Sequence, residues 1–144
     1  MGDLYACANS NNRGIELEKA GRVADAIQVY EANIAGDCYP ACHSFDRLMV
    51  LYRKQKDYAN EIRVIGKAIE VFSKENLRRA EIAIKENPQK EKAIRKALVT
   101  CEKVLGTTRS TLNGVLLYCF CPYDVAKYKK RLEKVIMLQN KQSK

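Results

Sequence analysis

The chain has 144 residues, 47% of them hydrophobic, with seven Gly and three Pro. That is enough apolar material for one ordinary core, which excludes a wholly disordered chain, and so few breakers favour helices over many short strands. The net charge of +9 is unevenly placed, since residues 1–73 carry 9 basic and 10 acidic side chains whereas residues 74–144 carry 17 and 7.

The first twelve residues, "MGDLYACANSNN", lack the basic start and apolar core of a secretory signal, and Ala6 stands where a myristoylation motif needs Ser or Thr. A cytoplasmic address is the expectation. From there to Gly21 the apolar spacing is loosely helical, and "RVADAIQVYEANIAGD" then places Val23, Ala26, Ile27, Tyr30 and Ile34 at intervals of three and four. Gly36 is expected to end that helix in the left-handed conformation. Pro40 should open a third helix reaching about Lys56, and Asp57 should cap a fourth reaching about Phe72.

Beyond Ser73, "KENLRRAEIAIKENP" reads as a helix stopped near Pro88, and "QKEKAIRKALVTCEKVLG" as its partner in a hairpin ending at Gly106. The run "TLNGVLLYCFC", residues 111–121, fits a buried helix or a strand, and helix is the expectation. It contains the longest apolar run, Val115 to Cys121, which at seven residues falls far short of the roughly 20 needed to span a bilayer. Residues 124–140 should form an amphipathic helix capped by Asp124, with Val125, Tyr128, Leu132, Val135 and Ile136 on its apolar side.

Superposing the first two helix pairs with a shift of 35 residues lays Leu17 on Tyr52, Gly21 on Lys56, Val23 on Tyr58, Ile27 on Ile62, Tyr30 on Ile65 and Ile34 on Ile69. A helix-turn-helix repeat of this period is the sequence sign of a solenoid. The residues Phe45-x2-Leu48-Met49-x2-Tyr52 in the second pair, with Gly14-x2-Leu17 and Ala26-x3-Tyr30 in the first, are similar to the tetratricopeptide repeat pattern. Met49 stands where that pattern has Gly, Ser10 replaces its leading aromatic, and Ala26 becomes Glu61 in the second copy. The resemblance covers residues 5–72. It implies an all-α fold, a short superhelix of antiparallel helix hairpins. The whole chain is then a single helical-repeat domain: two hairpins in 5–72, a divergent third in 73–106, and a region 107–144 holding a capping helix.

The family's first helices line a concave groove for extended peptides. Carried over by resemblance, the groove would present Asn11, Asn12 and Ile15 from the first pair and His43, Asp46, Arg47, Val50 and Arg53 from the second. The Lys and Asn residues with which one subgroup of the family clamps a terminal carboxylate are absent, because Asn11, Ile15 and Arg47 occupy those places. Arg47 and Arg53 could still fork onto an acidic side chain of a protein or peptide partner.

No motif of catalysis occurs: His43 is the only histidine, and there is no glycine-rich phosphate loop, HExxH or GxSxG. Glu16/Glu18 and Asp57/Glu61 read as solvated helix faces. The expectation is a non-catalytic module with no cofactor and no metal. Cys38-x3-Cys42-His43 has a spacing that zinc sites use, but Cys119-x-Cys121 is too tight to be usual, and free thiols are expected for all six cysteines. The rival function is nucleic-acid binding by the basic half, where "KYKKRLEK" lies near Tyr123 and Tyr128.

Overall fold

The computed structural model describes residues 4–36, 43–107 and 119–143. They form six α-helices: α1 (Leu4–Lys19), α2 (Val23–Ala35), α3 (His43–Lys54), α4 (Tyr58–Glu86), α5 (Glu91–Thr100) and α6 (Val125–Gln142). A single turn of 3-10 helix, Pro88–Lys90, precedes α5. Two strands of two residues each, β1 (Val104–Leu105) and β2 (Cys119–Phe120), pair antiparallel. The protein is all-α, and no described helix is long and apolar enough to cross a membrane. The chain divides into two compact units, Met1–Ile69 with Tyr128–Lys144, and Glu70–Lys127.

In the first unit, α1 and α2 are antiparallel. Tyr30 of α2 reaches Glu18 near the end of α1, and Asn33, one turn further on, reaches back to Asn11. The turn between them is set by Gly21, whose φ of +77° is left-handed. Its N–H bonds the carbonyl of Glu18, and the next N–H, that of Arg22, bonds the carbonyl of Leu17 at 2.9 Å. This is the two-bond Schellman closure, which satisfies carbonyls that the helix end would otherwise leave open.

The same closure recurs 35 residues later. Lys56 has φ +57°, its N–H bonds the carbonyl of Arg53, and the N–H of Asp57 bonds that of Tyr52. A side chain in this conformation costs about 1–2 kcal/mol that glycine avoids. Lys56→Gly is therefore expected to stabilise the protein by about 0.5–1 kcal/mol after glycine's extra unfolded-state entropy is subtracted, read as a raised urea midpoint. A lowered midpoint would contradict this reading of the turn.

Burial also follows the 35-residue shift. Gly14 and Met49, Ala26 and Glu61, Tyr30 and Ile65, and Asn33 and Ala68 are buried at both members of each pair. The core they enclose includes Phe45, Leu48, Val64 and Ile34. The expected caps are present: the Asp57 carboxylate accepts the Asn60 N–H at 3.3 Å, and Asp124 accepts that of Lys127 at 3.2 Å.

Several local expectations are corrected. Gly36 does end α2, but with φ −96° and ψ −152° it is extended rather than left-handed. The expected start at Pro40 lies outside the described residues, among which α3 is His43–Lys54. The fourth helix does not stop near Phe72. It runs unbroken for 29 residues because nothing between Gly66 and Pro88 lacks a backbone donor or favours another conformation strongly enough to end it.

The second unit departs furthest from the expected hairpin. Helix α5 stops at Thr100, where Cys101 takes the left-handed conformation at φ 61°. Val104 then pairs with Phe120 and Leu105 with Cys119, so residues 119–120 are strand and not helix. Residues 111–118 of that expected helix lie outside the described ones. The pairing delivers Phe120 into a small core with Ala80, Ala83, Ile94 and Ala97, three alanines making room for one large ring. Asn76 holds the chain after β2 through both backbone groups of Tyr123, donating to its carbonyl at 2.9 Å and accepting its N–H at 2.7 Å.

Candidate functional site: the face of α1, α3 and α6

Polar side chains tie successive helices of the first unit together, and the order of the ties fixes directions. Along α1, Asn11 accepts a bond from Ser44 Oγ at 2.5 Å, and Glu18 accepts two from Arg47, from Nε at 3.1 Å and Nη2 at 2.5 Å. Position rises along both helices, so α1 and α3 run the same way. On the other side of α3, Asp46 accepts from the Tyr128 hydroxyl at 3.0 Å, and the carbonyl of Lys56, just past its end, accepts from Gln142 Nε2 at 3.5 Å. Helix α6 therefore runs the same way as α3.

Three carboxylates each hold groups from two further helices. Glu18 of α1 takes the Tyr30 hydroxyl of α2 at 2.6 Å as well as Arg47 of α3. Glu31 of α2 takes the Tyr52 hydroxyl of α3 at 2.5 Å and Arg63 of α4. Glu61 of α4 takes Arg53 Nε of α3 at 3.0 Å and Arg131 Nε of α6 at 2.9 Å. Arg53 Nη2 also lies 2.9 Å from Glu61 Oε2 without an aligned N–H. Such charge-assisted bonds are stronger than neutral ones and specify which helix meets which.

The proton affinities follow from these contacts. The Arg47 guanidinium holds Glu18 below the usual carboxylate range, outweighing the burial that acts against it. Burial first, and the hydrogen bond to Glu18 second, push the Tyr30 phenol well up. Burial and Glu31 push that of Tyr52 to about 12. Both tyrosines stay neutral donors across the physiological range.

Of the eight residues expected to line a groove, four have their polar groups bonded inside the unit, and a fifth, His43, packs against Tyr30. Asn11 bonds Ser44 and Asn33, Asp46 bonds Tyr128, Arg47 bonds Glu18, and Arg53 bonds Glu61. The His43 ring meets the Tyr30 ring edge-on at 5.7 Å, and its buried Nε2 finds no hydrogen-bond partner among the described residues. The other three stay at the surface, Asn12 exposed and Ile15 and Val50 half-buried.

Two carboxylates read as solvated are not. Glu61 is fully buried and Glu18 half-buried. The signal for Glu61 lay in the 35-residue register, which puts it on the core position of Ala26. Among the described residues no three His, Cys, Asp or Glu side chains gather to hold a metal ion, and Cys38 and Cys42 lie outside them. Comparison of the chain with protein-family models, curated proteins and solved structures found no match.

Proposed function

We propose that the chain is a non-catalytic, cytoplasmic protein-binding module of the tetratricopeptide type, in which α1, α3 and α6 form the inner row of a short superhelix and receive an extended segment of a partner protein. The observation that carries the reading is the common direction of these three neighbouring helices, with α2 antiparallel to α1. The recurrence at 35 residues of both the turn closure and the buried positions supports it, because stacked hairpins must bury equivalent faces.

The internal ion pairs alter what such a groove would recognise. Arg47 and Arg53 already fork onto Glu18 and Glu61, so an acidic partner would have to displace an existing carboxylate. Asn12, Ile15 and Val50 then carry the contact, through a side-chain amide and two apolar surfaces. An Arg47→Glu/Arg53→Glu variant would disturb the fold itself. The test is a pull-down with Asn12→Glu/Val50→Glu. This variant is expected to keep the wild-type circular dichroism and melting temperature and to lose its main protein partner, and an unchanged partner set would contradict the assignment.

A further inference from the structure

Five arginines of the first unit, Arg22, Arg47, Arg53, Arg63 and Arg131, each pair with a carboxylate. Lys129, Lys130, Lys134 and Lys141 of α6 are all exposed, and among the described residues none of them has a carboxylate within ion-pair distance. At 100° per residue, Tyr128, Arg131 and Val135 lie on the side of α6 that packs inward, and Lys130, Lys134 and Lys141 fall together on the opposite side with Met137, which is 55% exposed. Lys129 lies about 100° round the helix from Lys130, with Glu133, the one acidic residue of the helix, between them. From Lys130 to Lys141 the row spans about 16.5 Å at 1.5 Å per residue.

The inward side holds this row in place. Arg131 is bonded to the fully buried Glu61, Tyr128 to Asp46, and Val135 is fully buried. The backbone beneath the lysines is therefore fixed before any partner arrives, which lowers the ordering cost of binding.

We infer that the outer face of α6 is a docking surface for the phosphate backbone of a nucleic acid, independent of base sequence. The row of Lys130, Lys134 and Lys141 matches a continuous line of charge, and about 16.5 Å of duplex presents roughly ten phosphates to it. A protein partner fits this face poorly, because lysine is depleted from protein interfaces and Met137 alone supplies little apolar core. The net charge of +9 steers polyanions towards it.

The test is fluorescence anisotropy of the full chain with a labelled mixed-sequence 20-mer, duplex and single-stranded, between 50 and 200 mM salt. Three neutralised phosphates predict a slope of log K against log salt of about −2.7 on the duplex, a loss of roughly fortyfold over that range. Lys129→Gln/Lys130→Gln/Lys134→Gln/Lys141→Gln should melt as wild type does, bind at least about tenfold more weakly at 50 mM salt, and lose most of the slope. An unaltered affinity and slope in that variant, or no oligonucleotide binding by wild type at 50 mM salt, overturns the inference. Polyglutamate displacing the oligonucleotide as well as unlabelled duplex does, at equal charge, would assign the face to an acidic protein instead and equally overturn it.

Discussion

Glu61→Ala is expected to destabilise the protein by about 3–5 kcal/mol, the usual cost of removing one partner from a buried ion pair. The carboxylate is fully buried and is shared by Arg53 and Arg131, whose side chains are 31% and 29% exposed. Without it, two guanidinium groups face each other with their desolvation uncompensated. Their partial exposure lets them turn towards water, which places the effect near the lower end. At about 3–4 °C per kcal/mol, the melting temperature should fall by about 10 °C or more. Because Arg131 lies on α6, the variant should also expose α6 to limited proteolysis before the remainder of the unit. Replacing all three members with apolar residues, Glu61→Leu/Arg53→Met/Arg131→Leu, should recover most of the loss, since no charge then remains to be compensated. A Glu61→Ala protein melting within 2 °C of wild type would show the triad to be incidental.

Gly14→Met is expected to cost at least about 3 kcal/mol, the upper range for overpacking a filled core. A Cβ on Gly14 would stand only 2.6 Å from Cζ of Tyr30, whose ring lies fully buried against the helix. The second hairpin solves the same packing problem the other way round, with Met49 and Ile65 at the equivalent buried positions. Tyr30→Ile alone should cost about 2–4 kcal/mol, through the cavity it leaves and the hydroxyl bond to Glu18 it removes. The double variant Gly14→Met/Tyr30→Ile transplants the second solution into the first hairpin and should be more stable than Gly14→Met alone. Urea unfolding of the four proteins gives the coupling energy directly. Additive costs would mean that the two hairpins are not packed equivalently.

What the sequence discloses of this fold is what short-range physics decides. Gly21, Asp57 and Asp124 mark helix ends because a left-handed turn or a carboxylate acceptor acts within four residues of itself. The apolar stripe of α6 is legible for the same reason, although Ile136, placed on it by spacing, is 40% exposed. The pairing of Val104 with Phe120 and the clamp of Asn76 on Tyr123 join residues far apart in the chain, and no local pattern announces them. Likewise, Glu61 carries no mark of burial beyond its register with Ala26, since Arg131, which helps to make that burial tolerable, lies 70 residues away. The positions of the proposed groove come by analogy with a repeat. The engagement of Arg47 and Arg53 was not legible, because their partners Glu18 and Glu61 look in the sequence like any solvated acid.

The surface proposed to meet a protein partner is the row formed by α1, α3 and α6. The most direct measurement places a photo-crosslinking amino acid at Asn12 and at Val50 on that row, and at Gln28 and Ala32 on the exposed side of α2. Irradiation in cell lysate should yield a discrete protein adduct from positions 12 and 50 and none from 28 and 32. Adducts from 28 and 32 alone, or only nuclease-sensitive adducts from 12 and 50, would contradict it.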